Sequence, residues 1–204
     1  MNAIPLSVPF KGNRTYIHST DVYPAVLAAL EEHSGLPANE LQKVDFVFRH
    51  ICHQQIQMAP ELPEDETAVA TFSFTHKNLP AKWFVFERDE AIANRRECPE
   101  DSIIETSTVN LETQSIKAPF AANPKGTLIE TIVALNKALH EKAFPDAKGK
   151  WLFTQIQTNS ALPGITPEEI EIEIVRRFGL RLTKSEIRFD GQPGGHIFFS
   201  LLES

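Results

Sequence analysis

The sequence predicts an α+β chain in which antiparallel sheets pack on long helices, arranged as two units within one polypeptide. Three observations lead there. Large apolar residues, mostly phenylalanine, recur with a period of two. Two segments carry an apolar stripe at helical spacing. The order strand, helix, strands occurs twice. The 204 residues, 42% hydrophobic and 23% charged, have ordinary globular composition. They suffice for one large domain or two of about 100 residues.

Of the 18 aromatic residues, 14 are Phe. Phe has no polar atom and can be buried without a hydrogen-bond partner. Phe46 and Phe48 alternate in KVDFVFRHICHQQ, Phe72 and Phe74 in AVATFSFTH, Phe84 and Phe86 in KWFVFERDE, and Trp151 and Phe153 in KWLFTQIQTN. That spacing marks strands with one buried face, so the Phe excess reads as the lining of sheets.

The first helix follows Ser19-Thr20-Asp21, any of which can cap it. Val22, Val26, Ala29 and Leu30 form its stripe, and Gly35 ends it. Pro24 belongs in a first turn, which sets the start near Thr20 or Asp21. The second helix follows Asn123-Pro124-Lys125-Gly126-Thr127. Leu128, Ile129, Ile132, Val133, Leu135 and Leu139 make a stripe broad enough for burial on most sides, ending near Phe144-Pro145. At Thr166-Pro167-Glu168-Glu169 capping and periodicity disagree. Pro at a first helical position favours a helix to Phe178, stopped by Gly179. The alternation of Ile170, Ile172 and Ile174 with Glu171 and Glu173 favours a strand. The helix is the preferred reading. A hairpin closes the sequence, with 186–189 and 196–200 flanking the turn-rich 190–195.

Set side by side, the halves match in element order at an offset of roughly 105 to 115 residues. The identities are few: Thr20 with Thr127, Phe48 with Phe153, Ile51 with Ile156. The charged segment 87–100, ERDEAIANRRECPE, reads as a linker or crossover, giving units 1–95 and 96–204.

A strand, a long apolar helix and then several antiparallel strands is the order of the hotdog fold, and the whole chain resembles a double hotdog. The resemblance covers nearly all of the sequence and rests on element order, with no signature motif. It implies two hotdog-like units, each a long helix wrapped by a curved antiparallel sheet, sharing a pseudo-twofold core. A pair of ferredoxin-like units is the alternative, but it needs two helices per unit. The hotdog resemblance further implies thioesterase or hydroxyacyl dehydratase chemistry on acyl thioesters. It places sites where units meet, with an acid or a His near the central helix.

Four groups of residues bear on such chemistry. In Tyr16-Ile17-His18-Ser19-Thr20-Asp21, His18 and Asp21 stand at a helix mouth, where free N–H groups can polarise a carbonyl. His18 could act there as general base. The plain alternative is a cap beside a surface histidine. In Arg49-His50-Ile51-Cys52-His53-Gln54-Gln55 a strand leaves the core. His50 and Cys52 share one face and Arg49 and His53 the other, so Arg49, His50 and His53 could line the end of a substrate pocket. A straight strand cannot converge His50, Cys52 and His53 on a metal, and no CxxC or HExxH motif accompanies them. In the second helix, Glu130 is a candidate acid, or simply a carboxylate favoured by the helix dipole. Asn136 is a candidate substrate ligand that needs a partner in any case. The run Asp190 to His196 lacks a phosphate-loop context and reads as a turn. Acidic stretches 60–66 and 168–173 read as solvated surface.

The net charge of −7 argues against a nucleic-acid backbone as partner. No apolar run reaches the roughly 20 residues of a membrane span, and the start MNAIPLSVPFKG lacks a signal-peptide pattern. Cys52 and Cys98 fit neither a disulfide framework nor a zinc site, so a cytoplasmic setting is expected. No cofactor or metal is implied. Three functions follow. The first is an enzyme acting on an acyl thioester or similar small hydrophobic substrate by general-base chemistry, with an acyl carrier protein as a candidate partner. The second is a non-catalytic ligand- or partner-binding protein. The third is a lyase or cyclase gripping a small acid through Arg49 and Arg188. A monomer or homodimer suits each.

Overall fold

The phenylalanine-rich segments are strands in the computed structural model, which describes residues 3–97, 101–122, 126–179 and 181–203. The chain divides into two units, Met1–Cys98 with Asn159–Gly164, and Pro99–Thr158 with Ile165–Ser204.

The first unit contains β1 (Ile4–Leu6), β2 (Phe10–Lys11), α1 (Ser19–Ser34), β3 (Gln42–Phe48), β4 (Gln54–Ala59), β5 (Ala70–His76), β6 (Leu79–Ala91) and β7 (Arg95–Arg96). Its antiparallel strands lie in the order β1-β4-β6-β5-β3, and β2 pairs separately with β7 in parallel. Phe46, Phe72 and Phe74 are buried. Tyr23 of α1 packs on Phe46 and Phe72 with ring centroids 5.6 Å away from each. Its hydroxyl accepts the Leu162 N–H at 3.2 Å. Gly35 ends α1 in the left-handed region at φ 62°, its N–H bonded to the Glu31 carbonyl. The helix begins at Ser19, so Pro24 lies beyond the first turn that the sequence suggested. The missing proline N–H leaves the Thr20 carbonyl without its helical donor.

Two expectations in this half are corrected. KVDFVFRHICHQQ is not one strand: β3 stops at Phe48, and 49–53 is a loop leading into β4. Segment 87–100 is not a free linker: 87–91 extend β6, and 95–96 form β7, while 98–100 lie outside the described residues.

The second unit contains α2 (Asp101–Glu105), β8 (Thr108–Asn110), β9 (Ser115–Pro119), α3 (Leu128–Ala143), β10 (Lys150–Ser160), β11 (Glu169–Phe178), β12 (Leu182–Phe189) and β13 (Gln192–Leu202). The antiparallel order is β10-β13-β12-β11-β9-β8. Thr127 caps α3 through a capping box. Its Oγ1 accepts the Glu130 N–H at 3.4 Å, while the Glu130 carboxylate accepts the Thr127 N–H at 2.8 Å. The broad stripe is buried as expected, with Ile132, Leu135 and Leu139 fully inaccessible.

The preferred helix over 166–178 is overturned: from Glu169 onward this segment is strand β11. Ile170, Ile172 and Ile174 face inward, and β11 bonds to β9 on one side and β12 on the other. Burying three β-branched residues in register outweighs a local start signal. That signal does have a physical counterpart. The N–H groups of Glu168 and Glu169 are capped by Asp190 Oδ1 at 3.0 and 2.9 Å, across the hairpin rather than within a helix. The closing turn is also tighter than expected, with Asp190 and Gly191 both at positive φ. Gly194 and Gly195 are strand residues. A Cβ on Gly194 would meet the Phe189 ring at 2.4 Å, and one on Gly195 the Gln157 carbonyl at 2.1 Å.

Candidate functional site

The short β2–β7 pair positions the first candidate site. In its register Lys11 lies opposite Arg96, and both cations reach the first turn of α1. Arg96 donates to Asp21 Oδ1 through Nε at 3.0 Å and also through Nη2. Lys11 Nζ donates to Thr20 Oγ1 at 2.9 Å and lies 3.9 Å from Asp21 Oδ1. Thr20 Oγ1 in turn bonds His18 Nδ1 at 2.7 Å. Lys11 and Thr20 are each 1% exposed, and Asp21 6%. A lysine this deeply buried needs a carboxylate and hydrogen bonds to remain charged. His18 itself is half-buried and occupies the N-cap position, where it makes no side-chain cap bond. The predicted pair is therefore brought together, with different surroundings. Asp21 is buried in an ion pair, and His18 stands at the helix mouth on a fixed hydroxyl.

The second group is dispersed. Arg49 and His50 lie exposed on the loop after β3, their backbone N–H groups bonded to the Val69 carbonyl. His53 is also exposed. Its Nδ1–H donates to the Thr15 carbonyl at 2.7 Å, and its N–H donates to Glu87 Oε1 at 2.7 Å. The two-face arrangement expected for 49–53 is corrected, because these residues are not in a strand. Cys52 is fully buried, and burial, with help from Glu87, pushes its thiol up to about 12, which suits inert packing rather than a nucleophile.

In the second unit Glu130 is engaged in the capping box described above. Arg188 is held on a sheet face by Glu173 at 2.8 Å and by Glu186, with Glu171 at 3.9 Å. These partners raise its pKa, the Glu173 bond most. With its charge shared among three carboxylates, and with Arg49 in the other unit, the Arg grip on a small acid gains no support.

Asn136 sits on the inward side of α3 with no exposure, and among the described residues neither its Oδ1 nor its Nδ2 has a hydrogen-bond partner. One turn on, His140 is equally buried, a residue the sequence reading passed over. Its Nδ1–H donates to the Asn136 carbonyl at 2.7 Å, which leaves Nε2 to accept from Thr183 Oγ1 at 2.6 Å. Trp151 and Phe199 surround the ring at centroid distances of 4.6 and 5.2 Å. Burial foremost, and Arg177 to a lesser degree, lower its pKa to about 4 against the Asn136 hydrogen bond. The imidazole is neutral at pH 7. The i, i+4 spacing of Asn136 and His140 inside an apolar stripe was the available signal. Among the described residues no group of His, Cys, Asp and Glu could hold a metal.

No sequence-family profile matches the chain, and no curated protein matches it. Solved structures do. The H959F variant of the PpsC dehydratase domain from Mycobacterium tuberculosis superposes with a TM-score of 0.52 at 8% identity, over 98% of this chain and 87% of that one. The same domain in complex with C12:1-CoA gives 0.49 at 10% identity, over 92% and 85%. A protein from Novosphingobium aromaticivorans, provisionally assigned as a thioesterase, gives 0.47 at 12% identity, over 99% and 94%. The PpsC match supports the fold: the chain resembles a double hotdog-fold protein, built of large antiparallel sheets with few helices. At such identity the likeness extends to the fold alone.

Proposed function

We propose that the chain is an enzyme acting on an acyl thioester, with His18 as general base. The observation that carries this reading is the Lys11–Thr20–His18 chain at the mouth of α1, anchored by the Asp21–Arg96 pair. It holds an imidazole beside the first-turn N–H groups of a helix that has no side-chain cap. An imidazole has its ordinary pKa near the working pH, and helix N–H groups can hold a developing oxyanion. His18 would take a proton from a water attacking the thioester carbonyl, or from the carbon beside that carbonyl as water is eliminated. Asp21 would act by fixing Arg96 and Lys11, and Glu130 by capping α3. In this reading each unit is a hotdog, with α1 or α3 wrapped by its sheet, and the two descend from one duplicated unit. The acyl group would arrive on coenzyme A or an acyl carrier protein, in the cytoplasm.

The test is turnover of a panel of acyl-CoA esters. His18→Ala should lower kcat/KM by about 10²- to 10⁴-fold and leave the melting temperature nearly unchanged, since His18 is half-exposed. Undiminished turnover in that variant defeats the assignment. The second reading is a non-catalytic binding protein, and the unpartnered amide of Asn136 favours it. Saturable acyl-CoA binding without turnover, lost in Asn136→Leu, would select it.

A further inference from the structure

One face of the second unit's sheet carries two opposed charge patterns. Cross-strand register sets Glu173 opposite Glu186 and Arg176 opposite Lys184. Like charges directly opposite one another destabilise a sheet. The acidic pair is bridged: Arg188 bonds both carboxylates. The basic pair is not. Among the described residues, neither Arg176 nor Lys184 has a carboxylate within 4.0 Å. Their cations lie instead over aromatic rings, Arg176 4.8 Å from the Phe178 centroid and Lys184 5.9 Å from that of Phe198. Phe178 is 41% exposed, and Leu202, two strands away on β13, 54%.

The two patterns balance. Glu169, Glu171, Glu173 and Glu186, set against Lys117 and Arg188, leave two net negative charges. Arg176 and Lys184 supply two positive ones. The patterns are neighbours along the same strands, since Lys184 and Glu186 are two residues apart on β12. A twofold axis lying in the plane of the face, between the two patterns, would therefore lay each pattern on its opposite in another copy, an isologous contact. We infer that this β11–β12–β13 face is the interface of a homodimer, with Phe178 and Leu202 as its apolar contacts and Arg176 and Lys184 answered by the partner's acidic end.

The experiment is sedimentation velocity on the full chain and on two charge-reversed variants, Arg176→Glu with Lys184→Glu, and Glu173→Lys with Glu186→Lys. The wild type should dimerise, and its association should weaken between about 0.05 M and about 0.5 M salt as screening grows. Each variant alone should associate at least ~100-fold more weakly, because it apposes like charges. Mixing the two should restore a dimer, since both contacts are then complementary. The first variant changes only exposed or half-buried side chains, so it carries the test even if the second folds poorly. A monomeric wild type overturns the inference. So does a dimer unaffected by Arg176→Glu with Lys184→Glu, or a folded pair that fails to associate on mixing.

Discussion

Acid should destabilise this protein through His140, and the size of the effect follows from its surroundings. In the folded chain the imidazole is buried, fixed as the Nδ1–H tautomer, and titrates at about 4. In the unfolded chain it titrates at its ordinary 6.5. Between those values the unfolded state binds a proton that the folded state refuses, so stability rises with pH there. The slope is about 1.4 kcal/mol per pH unit, and the whole interval is worth about 3 kcal/mol. This stability is fully present above pH 6.5, lost progressively as the pH falls towards 4, and constant in its loss below that. The assay is urea unfolding at half-unit steps from pH 7.5 to pH 4, on the wild type and His140→Gln. The variant will be less stable at pH 7, because the short His140–Thr183 hydrogen bond is lost and only the longer one from Thr183 Oγ1 to the Phe199 carbonyl remains. Its curve should nevertheless be flatter across the interval. Burial also lowers the pKa of His196, but that group and the carboxylates titrate in both proteins and cancel in the difference. Parallel curves would refute the neutral, buried imidazole.

Three further outcomes are expected. Asp21→Ala should cost about 3–5 kcal/mol, because it removes a buried carboxylate that pairs with Lys11 and Arg96, and the change in urea midpoint measures it. Thr127→Ala should cost about 1 kcal/mol through loss of the α3 capping box, whereas Glu130→Gln, which keeps both bonds, should cost less in the same melts. In a Cys98→Ser background, Cys52 should resist alkylation by iodoacetamide in the folded protein and react only once urea unfolds it, because its thiol is buried and titrates near 12. Rapid native-state labelling, followed by mass spectrometry, would contradict that burial.

Much of the architecture was legible because burial imposes periodicity. Phe72 and Phe74, or Trp151 and Phe153, can share a buried face only if the backbone is extended, and α3 announces itself through a stripe no strand could satisfy. The failures occurred where two local rules competed. Pro167 and the following glutamates are a sound helix start, yet Ile170, Ile172 and Ile174 gain more by entering a sheet between β9 and β12. No short window contains the Asp190 side chain that satisfies the N–H groups there. Likewise KVDFVFRHICHQQ reads as continuous because nothing in it says where the sheet ends. That end is set by Val69, whose carbonyl takes the N–H groups of both Arg49 and His50.

The candidate site shows the same division. His18, Thr20 and Asp21 are neighbours in sequence, so their meeting at a helix mouth could be read directly. Lys11 and Arg96 could not be, because they lie 85 residues apart and meet through a two-residue parallel pairing too short to leave a periodic trace. Their presence changes the chemistry available. An unpaired Asp21 beside His18 would compete for the same proton. With its Oδ1 committed to Arg96, the carboxylate is engaged in an ion pair, and the proton-accepting role falls to the imidazole. Asp21→Asn therefore differs from His18→Ala in kind: it should loosen Arg96 and Lys11 and lower kcat by displacing the Thr20 hydroxyl from His18, while retaining an imidazole able to titrate. A pH–rate profile that keeps its basic limb in Asp21→Asn and loses it in His18→Ala is the signature of that division of labour. Loss of the limb in both would assign the proton to the pair.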